Sequence, residues 1–122
     1  GSGTDKAEAT KIVSNLRSLK AAALMYYADK PNLELSGDQL GELRNYMDRE
    51  IVPPSGSTAK YVFGAAGGAW YVGLEGETGK YPTGGMEDKL LDVAESSGLF
   101  QANTVTSADV YKGGVKVYMR AR

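Results

Sequence analysis

The feature that most constrains this chain is an uninterrupted amphipathic pattern near its start. Over residues 5–29, apolar side chains recur at steps of three and four, which is the period of an α-helix. The segment has no glycine or proline, and its many alanines favour the helix. Lys30-Pro31 ends it, because the residue before a proline avoids the helical region. Such a rod is about 37 Å long, so the remaining residues can cover it only as a layer along one side.

One side of this helix therefore carries the predicted core. Its apolar stripe consists of Ile12, Val13, Leu16, Leu19, Ala23, Leu24 and Tyr27. We expect four of these side chains to pack directly on a sheet, namely Ile12, Leu16, Leu19 and Ala23.

Two shorter helices are predicted in the rest of the chain. The first opens with the S-x-x-Q capping pattern of Ser36 and Gln39 and stops at Pro53-Pro54; its inward stripe is Leu40, Leu43, Met47 and Ile51. The second spans residues 86–97, and Gly98 follows where a helix end needs a left-handed residue. Its predicted inward side chains are Met86, Leu90, Leu91 and Ala94.

Glycine turns divide the remaining segments into antiparallel strands. Residues 61–63 and 69–74 are rich in aromatic and β-branched side chains, and Gly67-Gly68 between them suits a hairpin. The closing DVYKGGVKVYMRAR predicts a second hairpin around Gly113-Gly114. In its last strand Val115, Val117 and Met119 would face the core, and Lys116, Tyr118 and Arg120 would face water. Strands joined in this way indicate an antiparallel sheet.

Composition removes most kinds of chemistry. The chain has neither histidine nor cysteine, which excludes a Ser-His triad, a disulfide and a thiolate metal site. The acidic group Glu87, Asp88, Asp92 and Glu95 is interpreted as a solvated helix face, since it lacks the loop of a calcium site. Fourteen basic residues against fifteen acidic ones produce no global field for nucleic acid or membranes. We therefore expect no enzyme activity, no cofactor and no metal.

Aromatic residues on the strands suggest a second surface. Only about half of the residues in an alternating strand can face the helix, so some aromatic side chains are left to face water or a partner. The candidate outer aromatic face consists of Tyr71, Tyr111, Tyr118, Lys116 and Arg120. Rings beside cations can stack on nucleic-acid bases, so DNA is a candidate partner of this face.

The order of these elements resembles the type IV pilin and type II secretion pseudopilin superfamily. The helix DKAEATKIVSNLRSLKAAALMYYAD, the strand pair YVFGAAGGAWYVGLEG, the segment KLLDVAESSGLF and the closing VKVYMRAR carry the resemblance. It implies an α+β fold in which a long N-terminal α-helix packs on a small antiparallel β-sheet, with two short connecting helices. The disulfide-closed loop common in that superfamily cannot form here, and the calcium-binding ending of its major pseudopilins is not evident.

The resemblance also implies what preceded the helix. Mature members begin with a very hydrophobic helical half that anchors the subunit in the inner membrane and later packs at the filament centre. We accordingly expect Asp5 to lie in mid-helix, with residues 5–122 forming a single globular domain. Gly1 to Thr4 are typical of a remnant of protein expression. A capping box formed by Asp5 and Glu8 is the alternative explanation of the helix start.

The function that the resemblance implies is structural. The chain would be a pilin or pseudopilin subunit of a type IV pilus-like or type II secretion filament, at the cell surface or in the periplasm. It would polymerise with copies of itself and related subunits. The exposed part of the helix is basic, so we expect Arg17 and Lys20 to meet Glu87, Asp88 and Asp92 of a neighbouring subunit. The alternative is a minor pilin that binds DNA or a surface through the candidate outer aromatic face.

Overall fold

The first helix, α1, spans Ser2–Asp29 in the computed structural model, which describes residues 2–31 and 40–122. Its first buried side chain is Ala9, two turns from its start. From there one face is sealed, and the four predicted core side chains Ile12, Leu16, Leu19 and Ala23 are each 0% exposed. The long predicted helix is thus present.

The end of the predicted apolar stripe on α1 is wrong at Leu24. At 3.6 residues per turn, Leu24 lies about 120° around the helix from Ile12, which places it outside the arc that the sheet covers. The side chain of Leu24 is 40% exposed, whereas that of Tyr26, which was not part of the predicted stripe, is buried. The predicted buried face of α1 is therefore present, but its width depends on the layer that packs against it.

The start of the second helix, at Ser36 with its Gln39 cap, lies outside the described residues. Within them, α2 spans Leu40–Leu43 and continues into a 3₁₀ turn at Arg44–Tyr46. This helix ends earlier than the stripe to Ile51 predicted, although Leu43 and Ile51 are both buried. A segment without helix or strand, with bends at 48–49 and a turn at 55–56, then leads to the sheet.

The sheet has four antiparallel strands in the order β1-β2-β4-β3. The first two, β1 (Lys60–Ala66) and β2 (Ala69–Glu75), form the predicted hairpin. Gly67 and Gly68 connect them with φ values of +58° and +80°, the left-handed pair that a tight hairpin turn requires. The fold class predicted from the sequence, a long helix on a small antiparallel sheet, is confirmed.

The predicted second hairpin is wrong. The last strand, β4 (Lys116–Arg120), pairs with β2 on one side and with β3 (Leu99–Phe100) on the other. Val110 instead forms a bridge with Phe100, on the far side of β3 from β4. The Gly113-Gly114 turn exists, with both φ values positive. The turn carries the chain from Val110, on one side of β3, to β4 on the other side. Because β3 has only two residues, it has no recognisable sequence pattern.

The third helix, α3, spans Gly84–Val93 and starts two residues before its predicted start. Thr83 caps it by accepting a hydrogen bond from the Met86 amide at 3.3 Å. Gly98 adopts φ +65° after the helix, as predicted. Leu91, however, was predicted to face inward and is 38% exposed, because α3 packs through the fully buried Leu90 and Ala94 on an adjacent side.

The two helices approach closely at the N-terminal turn of α3. The carboxylate of Asp5 on α1 lies against Gly85, where an added Cβ would come within 2.0 Å of its Oδ2. A negative charge at this end of a helix interacts favourably with the helix dipole. Glycine at position 85 therefore permits the contact between α1 and α3.

The outer face of the sheet is covered, which corrects the prediction of an open aromatic surface. After β3 the chain crosses this face and places Val105 on a small second core with Val62, Ala69 and Tyr118. Tyr118 is consequently 3% exposed. Tyr111 is also buried, but in the main core, where its hydroxyl donates to the Gly114 carbonyl at 2.7 Å.

Candidate functional site

The structure brings three basic side chains to one concave surface, which we call the basic pocket. Arg17 and Lys20 come from successive turns of α1, and Arg120 comes from the end of β4. The pocket encloses about 200 Å³ and is also lined by Ser97, Phe100 and Met119. None of its three cations forms an ion pair with a described residue. The result is a concentration of positive charge around partly apolar walls.

A negatively charged surface lies on α3 and the turn after it, and we call it the acidic ridge. It consists of Asp88, Leu91, Asp92 and Glu95, which are spaced at three and four residues and are all exposed. In the part of the chain that the structure describes, none of the three carboxylates has an ion-pair partner within 4.0 Å. Lys6 of α1 and Lys89 of α3 line a groove between the two helices together with Asp92.

Glu87 was predicted to act together with Asp88 and Asp92, but the structure separates it from them. Its side chain is half-buried, and its carboxylate lies against the Gly113 backbone. The charge of Glu87 also contributes, after burial, to raising the pKa of Tyr111. Glu87 is therefore directed at the loop before β4 and away from the acidic ridge.

The other three members of the candidate outer aromatic face are Tyr71, Lys116 and Arg120, which lie around the buried ring of Tyr118. Tyr71 is half-buried and contacts Tyr118 edge-to-face, with ring centroids 5.4 Å apart. Lys116 and Arg120 are exposed at opposite ends of β4. Of these residues, only Arg120 joins the basic side chains of α1, a grouping that no sequence spacing indicates.

A polar pair lies inside the helix–sheet interface, where sequence reasoning expected only apolar contacts. Asn15 is 3% exposed, and its Nδ2 donates to the hydroxyl of Tyr61 at 2.9 Å. Its Oδ1 has no hydrogen-bond partner among the described residues. Burial raises the pKa of the Tyr61 hydroxyl. The signal in the sequence was a single asparagine between Ile12 and Leu19 of the stripe.

Arg122 contacts two aromatic side chains, one on α1 and one on β2. The guanidinium of Arg122 lies 3.8 Å from the ring centroid of Tyr27, and Trp70 packs edge-to-face on the same ring at 4.7 Å. The Trp70 amide donates to the Arg122 carbonyl at 3.0 Å. Arg122 is thus held by aromatic contacts although it is exposed, and Arg120, two residues earlier, is exposed as well.

Residues 2–31 and 40–122 contain neither a candidate metal cluster nor a candidate membrane-spanning helix. No group of three or more acidic side chains there is arranged so that it could hold a metal ion. None of the helices in the same residues combines the length and the apolar character needed to cross a bilayer.

A long first helix laid along one face of a four-stranded antiparallel sheet, with a capped short helix leading to the last two strands, is a pilin-like architecture. A solved structure supports this class directly. The major type IV pilin PilA1 from Clostridium difficile matches this chain with a TM-score of 0.67 and 21% sequence identity, over 99% of this chain and 98% of that chain. The protein therefore has the fold of a type IV pilin. No protein-family model and no curated protein matches its sequence.

Proposed function

We propose that this protein is a structural subunit of a type IV pilus-like filament and that it acts by polymerisation. The observation that carries the proposal is the match to a type IV pilin over nearly the whole of both chains. Because the two chains coincide from the long helix to the last strand, the likeness is one of complete architecture and not of a shared motif.

The surface of α1 supports this function. The sheet covers one side of the helix, while Arg17, Leu24 and Met25 on other sides remain exposed. Met25 is 55% exposed and Leu24 is 40% exposed, so part of this uncovered surface is apolar. A helix sealed on one side and partly apolar on another offers a long surface to neighbouring copies.

The polymerisation energy would come mainly from a segment upstream of Asp5. In pilin-like proteins this is the hydrophobic half of the helix, which holds the subunit in the inner membrane before assembly. On extraction from the membrane, it would exchange lipid contacts for close packing against identical helices. The domain described above would then form the outer layer of a filament at the cell surface, with a structural and not a catalytic task.

The pilin fold is also compatible with two more specific roles. A pseudopilin of a type II secretion filament would share the fold and the polymerisation mechanism. A minor pilin that binds DNA or a surface would need an exposed recognition face. Because Tyr111 and Tyr118 are buried, we favour the polymerising subunit over this binding module.

The test is to express the natural reading frame in a bacterium that has type IV pilus assembly machinery. Sheared filaments are then labelled with an antibody raised against residues 5–122 and viewed by electron microscopy. We expect label along the whole length of the filaments. Label confined to filament tips would favour the minor binding subunit, and unlabelled filaments would reject the proposal.

A further inference from the structure

We propose that the acidic ridge of one copy docks in the basic pocket of the next copy, with Leu91 at the centre of the contact. This inference rests on the proposed function and deepens it, because it assigns the partner of two specific surfaces. The partner is a second copy of this chain, and the chemistry is an apolar side chain flanked by carboxylates entering a pocket rimmed by cations.

The basic pocket has the properties of an incomplete site. Its three like charges repel one another, and no described carboxylate neutralises them. Between them lie Phe100, which is half-buried, and Met119, which is 4% exposed. An anion alone would neutralise the rim but would leave the exposed part of Phe100 in water. A partner that presents both a negative charge and an apolar group satisfies both parts.

The acidic ridge has the complementary composition. Leu91 is 38% exposed and is the apolar member of the acidic ridge. Asp88 and Asp92 flank it at three residues before and one residue after, and Glu95 follows one turn later. The ridge therefore presents one apolar side chain among three carboxylates, and the pocket presents apolar walls among three cations.

The two surfaces do not satisfy each other within one molecule. No side chain of the acidic ridge lines the basic pocket, although Ser97 of the pocket follows Glu95 by only two residues. When a copy uses its pocket for one neighbour and its ridge for another, the contact is heterologous, and it continues from copy to copy unless the rotation closes a ring. Such a contact suits an open filament. Each exposed charge pair is weak and is screened by salt, so the contact fixes orientation more than it supplies affinity.

Disulfide trapping tests the contact, because the chain contains no cysteine. Leu91→Cys and Ser97→Cys are made in separate chains, mixed, oxidised and scored as mixed dimers by mass. The matched control pairs Leu91→Cys with Val52→Cys, since Val52 is 59% exposed on a segment outside both surfaces. We expect the Leu91–Ser97 pair to be trapped about tenfold more than the control, because docking raises the local concentration of the two thiols.

Charge exchange separates docking from chance collision. Reversing the pocket with R17E, K20E and R120E, or the ridge with D88K, D92K and E95K, should each abolish the excess trapping. The chain with all six changes keeps the net charge of −1, and its excess disulfide trapping should return. Melting curves establish that each variant is folded.

Two results would overturn the inference: trapping no greater than for the Val52 control, or trapping that ignores charge reversal and salt. Failure here is distinguishable from failure of the proposed function. Labelled filaments without the Leu91–Ser97 disulfide would reject this docking mode alone, whereas unlabelled filaments would reject the filament role itself.

Discussion

The substitution Gly73→Ala should destabilise the protein through a single aromatic ring. Gly73 lies in β2, the strand between β1 and β4, and pairs directly with Tyr118. An added Cβ at this position would come within 2.3 Å of Tyr118 Cδ1 and 3.0 Å of the Val117 carbonyl oxygen. Real Cβ atoms do not approach neighbours that closely, so either the ring or the strand must move.

The ring of Tyr118 has little freedom to move. It is 3% exposed, its hydroxyl donates to Glu75 at 2.6 Å, and Val105 closes the cluster around it. Overpacking of this kind costs about 1–3 kcal/mol, and the lower chain entropy of alanine offsets about 0.5–1 kcal/mol of that. We expect a net loss of roughly 1 kcal/mol and at most about 2.5 kcal/mol in the free energy of unfolding, or about 4 °C and at most about 10 °C in melting temperature for a domain of this size.

A double-mutant cycle in urea unfolding measures the effect. In the Tyr118→Ala background the space above Gly73 is empty, so Gly73→Ala should be neutral or slightly stabilising. Gly64→Ala is the matched control, because Tyr71 covers Gly64 in the same way, with its hydroxyl 2.8 Å from the added Cβ, but is only half-buried. It should cost less than Gly73→Ala. An equal loss for Gly73→Ala in both backgrounds would refute the reasoning.

Two further predictions concern the core and its titration. Leu16→Ala should cost about 2–5 kcal/mol because Leu16 is 0% exposed. Leu24→Ala, at a 40% exposed position of the same helix, should change the unfolding free energy far less, and equal losses in urea unfolding would contradict the observed width of the buried face. Burial raises the pKa of Tyr81 above its usual value near 10. Its stabilising contribution is therefore complete below about pH 10 and is lost as the pH rises above that. Between about pH 9 and 11, the unfolding free energy of Tyr81→Phe should therefore decrease less than that of the parent protein. An equal decrease in both proteins would exclude Tyr81 as a cause of the pH dependence.

The parts of the fold that could be predicted from the sequence are those determined by local pattern. The three- and four-residue spacing of α1 and the Gly67-Gly68 turn each act over a few neighbouring residues, and both are present. The edges of the buried faces were less predictable. Leu24 and Leu91 each continue an apolar stripe, but whether the edge of a stripe is covered depends on residues distant in sequence.

The covered outer face of the sheet could not be predicted for a related reason. Alternation assigned Tyr118 to water, but a face alternates cleanly only when nothing packs on it. Here the segment after β3 brings Val105 onto that face. Gly64 lies inside β1, where the missing side chain makes room for the ring of Tyr71. Glycine in a strand can thus indicate an aromatic neighbour as well as a turn.

The basic pocket combines predictable and unpredictable parts in the same way. Arg17 and Lys20 are three residues apart on a helix, so their proximity follows from the sequence. Arg120 joins them only because β4 lies beside α1 in the finished fold. No count of charges reveals this grouping, since fourteen basic and fifteen acidic residues nearly cancel over the chain.

Near-neutrality combined with separated charge has a physical consequence for assembly. Copies with a net charge of −1 repel one another only weakly at long range, so they can approach in any orientation. Within a Debye length of about 8 Å at physiological salt, the acidic ridge and the basic pocket are felt as separate charges, and only orientations that oppose them are favoured. If the same charges were distributed uniformly, two copies could still approach each other, but no relative orientation would be favoured. The separation of charge between α3 and the basic pocket therefore favours an ordered contact between copies over non-specific association.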